Sequence, residues 1–154
     1  MSIDYNGPLC GCGKRGCIEI LAAGPAIGAR ARAKLKDQPA HSAILQLAGG
    51  EIASVTSETV AKAFAAGEPL AREVLQETVE LLAPWLGNIV DLLDPDVIVV
   101  GGGVAAMFRP FFSEIIRLLP PWCVNPRSSD IPVLMAHYGA DAGIAGGAAL
   151  CFSK

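Results

Sequence analysis

Three cysteines, Cys10, Cys12 and Cys17, lie within eight residues of a glycine-rich stretch, and Glu19 follows two positions after the last. Thiolates this close on a tight turn suit one soft, tetrahedral metal ion, with zinc the first choice. The intervening glycines let the backbone turn sharply enough to aim several sulfurs inward. A structural zinc site takes four protein ligands, and only three are local. Asp4 and water are the near candidates for the fourth place, and His41, His137 and Cys123 the distant ones. A metal bracing the loop would hold Glu19 as a rigid hydrogen-bond acceptor. Without one, the carboxylate is simply a favourable charge near a helix N-terminus.

Two further stretches could carry chemistry. Gly101-Gly102-Gly103 directly follows the β-branched run Asp96 to Val100. A strand, a glycine turn and a helix let backbone N–H groups approach a phosphate. The triplet alone reads equally well as a tight turn packed on a neighbour. Gly139 to Ala149 is a second small-residue stretch, suited to close helix packing or to lining a nucleotide pocket. Within it, Asp141 is placed to cap a helix.

These groups need elements to position them. Ser2 to Tyr5 is a candidate strand, with a turn at Asn6-Gly7-Pro8. Ile18 to Ala23 predicts a short helix, and Pro25 opens another whose Arg30, Arg32, Lys34 and Lys36 complement the dipole at its C-terminal end. Ser42 caps a short helix to Leu47, and Thr56 or Ser57 caps one over 58–66. Its repeated alanines predict close packing on a neighbour. Apolar residues at three- and four-residue steps predict a long helix from Pro69 to Leu93, kinked or broken at Pro84. Strands are expected over 96–100 and 131–138, with helices from Phe108 to Leu119 and from the last glycine stretch to Phe152. The second half therefore reads as an α/β layout within one compact unit.

Composition narrows the function. The chain has 154 residues, 52% hydrophobic and 18% charged, enough apolar material for a substantial core. A net charge of -3 offers no basic stripe for non-specific nucleic-acid binding. Five cysteines, three of them clustered, do not form a disulfide framework and fit a reducing, cytoplasmic setting. The sequence shows no signal-peptide pattern and no apolar run long enough to span a membrane.

Together, three ordered motifs resemble one family. Gly7-Pro-Leu-Cys10-Gly-Cys12-Gly-Lys-Arg-Gly-Cys17-Ile-Glu19 is similar to the zinc signature of the ROK family of repressors, open reading frames and sugar kinases. Asp94-Pro-Asp-Val-Ile-Val-Val-Gly-Gly-Gly103-Val and Gly139-Ala-Asp-Ala-Gly-Ile-Ala-Gly-Gly-Ala-Ala149 resemble its later glycine motifs. The resemblance implies an α/β fold, a partial RNase H-like or actin-like ATPase domain with a helical insertion and a zinc loop. Residues 1–19 would form the zinc loop region, 20–94 the helical part and 95–154 the α/β part. It implies a glucokinase-like, ATP- and magnesium-dependent phosphorylation of a hexose or N-acylhexosamine. Cys10, Cys12 and Cys17 would hold structural zinc, Glu19 would accept hydrogen bonds from sugar hydroxyls, and Gly102 and Gly103 would line the ATP site.

The family's first phosphate loop, its catalytic Asp and its Glu-x-Gly-His segment have no counterpart among these residues. The N-terminal lobe is therefore expected to lie outside them, no catalytic residue is assigned, and the chain alone is expected to be inactive. An exposed sheet edge, an uncovered apolar patch and a possible homodimer are expected with it. Two other readings remain: the sugar-sensing part of a ROK repressor, and a zinc-stabilised structural module. None of the three calls for a membrane or for direct nucleic-acid contact by this chain.

Overall fold

The computed structural model of the chain describes residues 1–37 and 42–152, so His41 lies outside the described residues. The first seventeen residues form a tight double-back rather than a strand. Ser2 pairs with Cys17 and Leu9 with Arg15 as isolated antiparallel bridges. The expected strand over Ser2 to Tyr5 is cut short because the chain turns at once. The Asn6 N–H donates to the Asp4 carboxylate at 2.9 Å and the Gly7 N–H to the Asp4 carbonyl at 3.1 Å. Such local side-chain bonds compete with strand pairing.

Helices follow. They are α1 (Ile18–Ala22), α2 (Gly24–Asp37), α3 (Ala43–Leu47), α4 (Ser57–Ala65) and α5 (Pro69–Leu93). Their starts follow capping chemistry. The Ser42 hydroxyl accepts from the Ile44 N–H at 3.2 Å. Thr56 and Thr59 cap each other reciprocally at the start of α4. Of the kink or break expected at Pro84, the break does not occur: helix α5 runs on through it for 25 residues. A proline removes one backbone donor, and the buried apolar stripe on both sides of it holds the helix together. The helix ends where Asp94 takes a left-handed conformation, φ 42°, and Pro95 blocks continuation.

Helices α1, α2 and α4 pack around α5. Ile27, Ala31 and Leu35 of α2, Val60 and Ala63 of α4, and Val74, Leu75 and Val79 of α5 are fully buried. This is the larger part of the hydrophobic core.

The remainder is α/β. Strand β1 (Ile98–Val100) pairs in parallel with β2 (Val133–Met135), in the register Ile98–Val133, Val99–Leu134 and Val100–Met135. Between them lie α6 (Ala105–Phe108), a 3-10 turn at 109–111 and α7 (Phe112–Leu118). The single helix expected over 108–119 is thus two short ones, because Pro110 supplies no N–H at the junction. Helix α8 (Ala142–Phe152) closes the described chain. Phe108, Phe111, Ile115 and Leu119 carry the core across to this half. Among the described residues, no helix is long and apolar enough to cross a membrane.

Candidate functional site

The cysteines converge. The Sγ atoms of Cys10, Cys12 and Cys17 all lie within 4.8 Å of one another, and those of Cys12 and Cys17 are 3.5 Å apart. All three are free thiols, Cys10 and Cys17 buried and Cys12 exposed. The loop is shaped by its backbone. The Cys10 N–H donates to the Lys14 carbonyl at 2.7 Å, and the Gly13 N–H returns to the Cys10 carbonyl at 2.9 Å. Gly16 has φ 57°, and a Cβ there would lie 1.7 Å from the Asp4 carbonyl oxygen. No side chain fits at that crossing, so glycine is required for the two arms of the loop to touch.

The triad's protonation follows from its geometry. A backbone hydrogen bond from Lys14 holds Cys12 below the ordinary thiol range, and its neighbours Cys17 and Cys10 add to this. The Cys12 contact, helped by burial, pushes Cys17 up to about 11. A metal ion would displace that proton on binding. Three convergent sulfurs without a disulfide fit a soft ion such as zinc, held by Cys10, Cys12 and Cys17. Such an ion would supply a cross-link between the loop and α1. Asp4, His137 and Cys123 are not part of the cluster among the described residues. The Asp4 carboxylate already turns the chain at Asn6. The His137 ring lies edge-on to Tyr138, 5.0 Å between centroids. Cys123 is half-buried, and desolvation and Asp91 raise its pKa.

Glu19 sits in the first turn of α1, exposed, immediately after the metal-type loop. Its carboxylate has no hydrogen-bond or ion-pair partner among the described residues and is available to a ligand. Helix α1 is only five residues long and has no side-chain N-cap. It is held from outside by Arg30 of α2. That guanidinium donates to the Leu21 carbonyl at 2.7 Å and to the Thr78 hydroxyl of α5 at 2.6 Å. Burial pulls its pKa down, opposed by Glu77.

Nothing in the residue pattern signals this role, because a basic run along a helix reads as a dipole effect. Only Lys34 and Lys36 lie in the last turn. Arg32 donates to the Val55 carbonyl at 2.6 Å, and Lys34 pairs with Glu73 and Glu77.

The two glycine stretches meet. Both follow the C-terminal ends of parallel strands, where ligands bind in open α/β sheets. Gly101, Gly102, Gly103 and Gly139 line a cleft of about 230 Å³ floored by Met135 and Ala136. Gly102 has φ 104° and open space where a Cβ would be. Asp141 lies in the 3-10 turn that leads into α8. A larger cavity of about 800 Å³ shares Gly103 and Ala106 with the cleft. Ser57, Glu58, Ala61, Phe64 and Ala65 of α4 face Val104, Met107 and Pro110 across it.

The alanines of α4 divide between two tasks. Ala63 packs in the core as expected, whereas Ala61 and Ala65 leave room for the cavity. No motif marked this wall, since alanines carry no chemical signal and Ser57 and Glu58 read as ordinary helix-start residues. Phe64 is fixed from behind by Phe111, 5.4 Å between centroids, and by Arg72, 5.2 Å from its ring centre.

The joint of α1 and α2 packs beside the larger cavity. A Cβ on Gly24, at the joint of α1 and α2, would lie 2.9 Å from Ser57 Oγ and 3.3 Å from Val104 Cγ1. Val104 directly follows Gly103.

Known proteins are similar to this chain in sequence and fold. The chain is 29% identical over 147 residues to an N-acetylmannosamine kinase of Escherichia fergusonii, covering 96% of this chain and 43% of that one. A ROK family glucokinase from Streptomyces griseus, solved with glucose and AMPPNP, superposes with a TM-score of 0.86 at 28% identity. The overlap is 97% of this chain and 49% of the glucokinase. A ROK family transcriptional regulator, a homolog of the E. coli MLC protein, superposes at 0.71 and 25% identity. There the overlap is 88% of this chain and 33% of the regulator. The chain thus spans less than half the length of these relatives. The ROK family model matches residues 1–154, and with the convergent cysteines and the paired glycine loops of its α/β half, the chain belongs to the ROK family.

Proposed function

We propose that these residues form the sugar- and nucleotide-contacting portion of an ATP-dependent, glucokinase-like kinase acting on a hexose or N-acylhexosamine. The observation that carries this reading is the meeting of both glycine loops in one cleft beside an apolar cavity. In this reading the backbone around Gly102 and Gly103 takes the phosphates, and the cavity walled by Phe64 and Met107 takes the base. Magnesium enters with ATP. Glu19 accepts hydrogen bonds from the sugar, and zinc on Cys10, Cys12 and Cys17 braces the loop beside it. Kinase relatives and the glucokinase bound to glucose and AMPPNP support the assignment.

What these residues do is bind and orient, which with charge stabilisation makes up most of phosphoryl transfer. The resemblance assigns the proton-accepting Asp and the first phosphate loop to segments not among these 154 residues, so the chain alone turns over no sugar. The test is twofold. A fluorescent ATP analogue binds the chain, and Gly103→Val, which puts a β-branched side chain at the shared mouth, weakens binding at least tenfold. ADP release with glucose or N-acetylmannosamine stays at the no-sugar control. Absence of nucleotide binding overturns the site, and clear turnover overturns the inactivity.

A second reading is the sugar-sensing part of a ROK repressor, favoured by the likeness to the MLC-type regulator. It predicts stabilisation of the chain by sugar with no effect of nucleotide. Through the exposed apolar surface of its α/β half, the chain is also proposed to form homodimers.

A further inference from the structure

We propose that Arg30 is a positioning residue that holds α1, and with it Cys17 and Glu19, in place. The inference rests on the metal and sugar reading above and adds to it the group that fixes the geometry.

Helix α1 begins at the residue after Cys17 and carries Glu19 in its first turn. Five residues are too few to be a stable helix alone. Besides its internal bonds, α1 is tied at its ends by the Ile18 N–H to the Met1 carbonyl at 3.0 Å, the Leu21 N–H to the Cys17 carbonyl at 3.3 Å and the Ala23 N–H to the Glu19 carbonyl at 3.1 Å. The Leu21 carbonyl, near the end of the helix, is taken by Arg30 at 2.7 Å.

The other arm of the same guanidinium is anchored deep in the molecule. It donates to the hydroxyl of Thr78, which is fully buried and itself donates to the Val74 carbonyl at 2.9 Å. Arg30 Nε also lies 3.4 Å from Glu77. One planar side chain therefore ties the end of α1 to the middle of α5, the longest and best-buried helix. A lysine has the charge but lacks the fork, and reaches one of the two acceptors. Lys34 makes a natural control. It pairs with Glu77 as well, and with Glu73, and among the described residues makes no hydrogen bond or ion pair with α1.

The test uses the whole chain and Co2+ as the probe. Hydrogen exchange of the Leu21 and Ala23 amides is followed with and without metal, and the cobalt d–d spectrum reports ligand geometry. In Arg30→Gln these two amides exchange at least tenfold faster while amides of α4 stay within twofold of wild type. The Co2+ bands shift, and affinity falls about tenfold, the scale on which residues behind metal ligands act. Arg30→Lys recovers part of the lost protection, and Lys34→Gln matches wild type.

Unchanged α1 exchange in Arg30→Gln overturns the proposal, and so does a loss spread equally over α2, α4 and α5. Should Arg30→Gln fail to fold, Arg30→Lys carries the test, with α1-confined exchange expected and behaviour like Lys34→Gln overturning the idea. A wild-type chain that takes up no Co2+ defeats the metal reading, and the metal-free exchange then decides the role of Arg30 by itself.

Discussion

The helical half and the α/β half bury their apolar residues very differently. In the helical half, α5 has α1, α2 and α4 around it, and its stripe from Leu70 to Val90 is buried. In the α/β half, β2 packs against α7, and the strand pair turns its other face outward, leaving Val99 60% and Leu134 51% exposed. Helix α8, eleven residues with no charged side chain, buries none of them, and Phe152 is 85% exposed. A parallel pair rich in β-branched residues belongs between two covering layers, and here one is present. The lesson is that the helical half holds itself together, whereas the α/β half carries an apolar surface suited to contact.

Four outcomes would break or sharpen that contrast. The largest concerns stability. Leu75→Ala in α5 should cost about 2–5 kcal/mol in urea unfolding, as truncations in closed cores do. Ile144→Ala in α8 should stay within about 0.5 kcal/mol. Equal losses at the two positions would erase the distinction between the halves.

Next comes the metal. Zinc at a hundredfold excess over its Kd should stabilise the chain by about 2.7 kcal/mol, seen as a rise in Tm. Cys17→Ser should abolish that rise, and a zinc response that survives the substitution would remove the triad from the site.

The third is association. Wild-type chain should sediment with increasing mass as concentration rises, and Ile144→Asp should suppress the increase. If the variant associates as wild type does, α8 is not the contact.

The smallest outcome is a pH effect at the seam between the halves. Hydrogen bonds from Arg127 and Asn125, with the Arg127 charge, hold Asp94 below its ordinary value of 3.8. A carboxyl depressed on folding stabilises above its unfolded pKa, and that contribution fades as pH falls below 3.8 through the folded value. Both partners are exposed, so the effect is slight. Asp94→Asn, which tolerates the left-handed backbone, should reduce the slope of stability against pH below 4. An identical slope would show that Asp94 titrates alike in both states.

Much of this was legible in the sequence because the relevant signals are local. The cysteine spacing foretold the cluster, and Ser42 and Thr56 foretold helix starts, because caps act within three residues. The ordered glycine stretches pointed to one α/β site. What stayed hidden depends on distance. Arg30 reaches Thr78 across 48 positions, and nothing near either residue announces the bond. The wall of the large cavity includes alanines, Ala61 and Ala65, whose message is the space they leave. Pro84 signals a kink or a break because the rule for proline is local, while the packing that keeps α5 continuous is not. Pro110 did interrupt its helix, where the flanking segments are short.

Gly24 has a packing consequence. It stands at the joint of α1 and α2, and a Cβ there would come within 2.9 Å of Ser57 Oγ and 3.3 Å of Val104 Cγ1. Its missing side chain lets the helix that carries Glu19 end against the wall of the larger cavity, to which Ser57 and Val104 both belong. A methyl group at position 24 would have to push the Ser57 side chain aside to keep that fit.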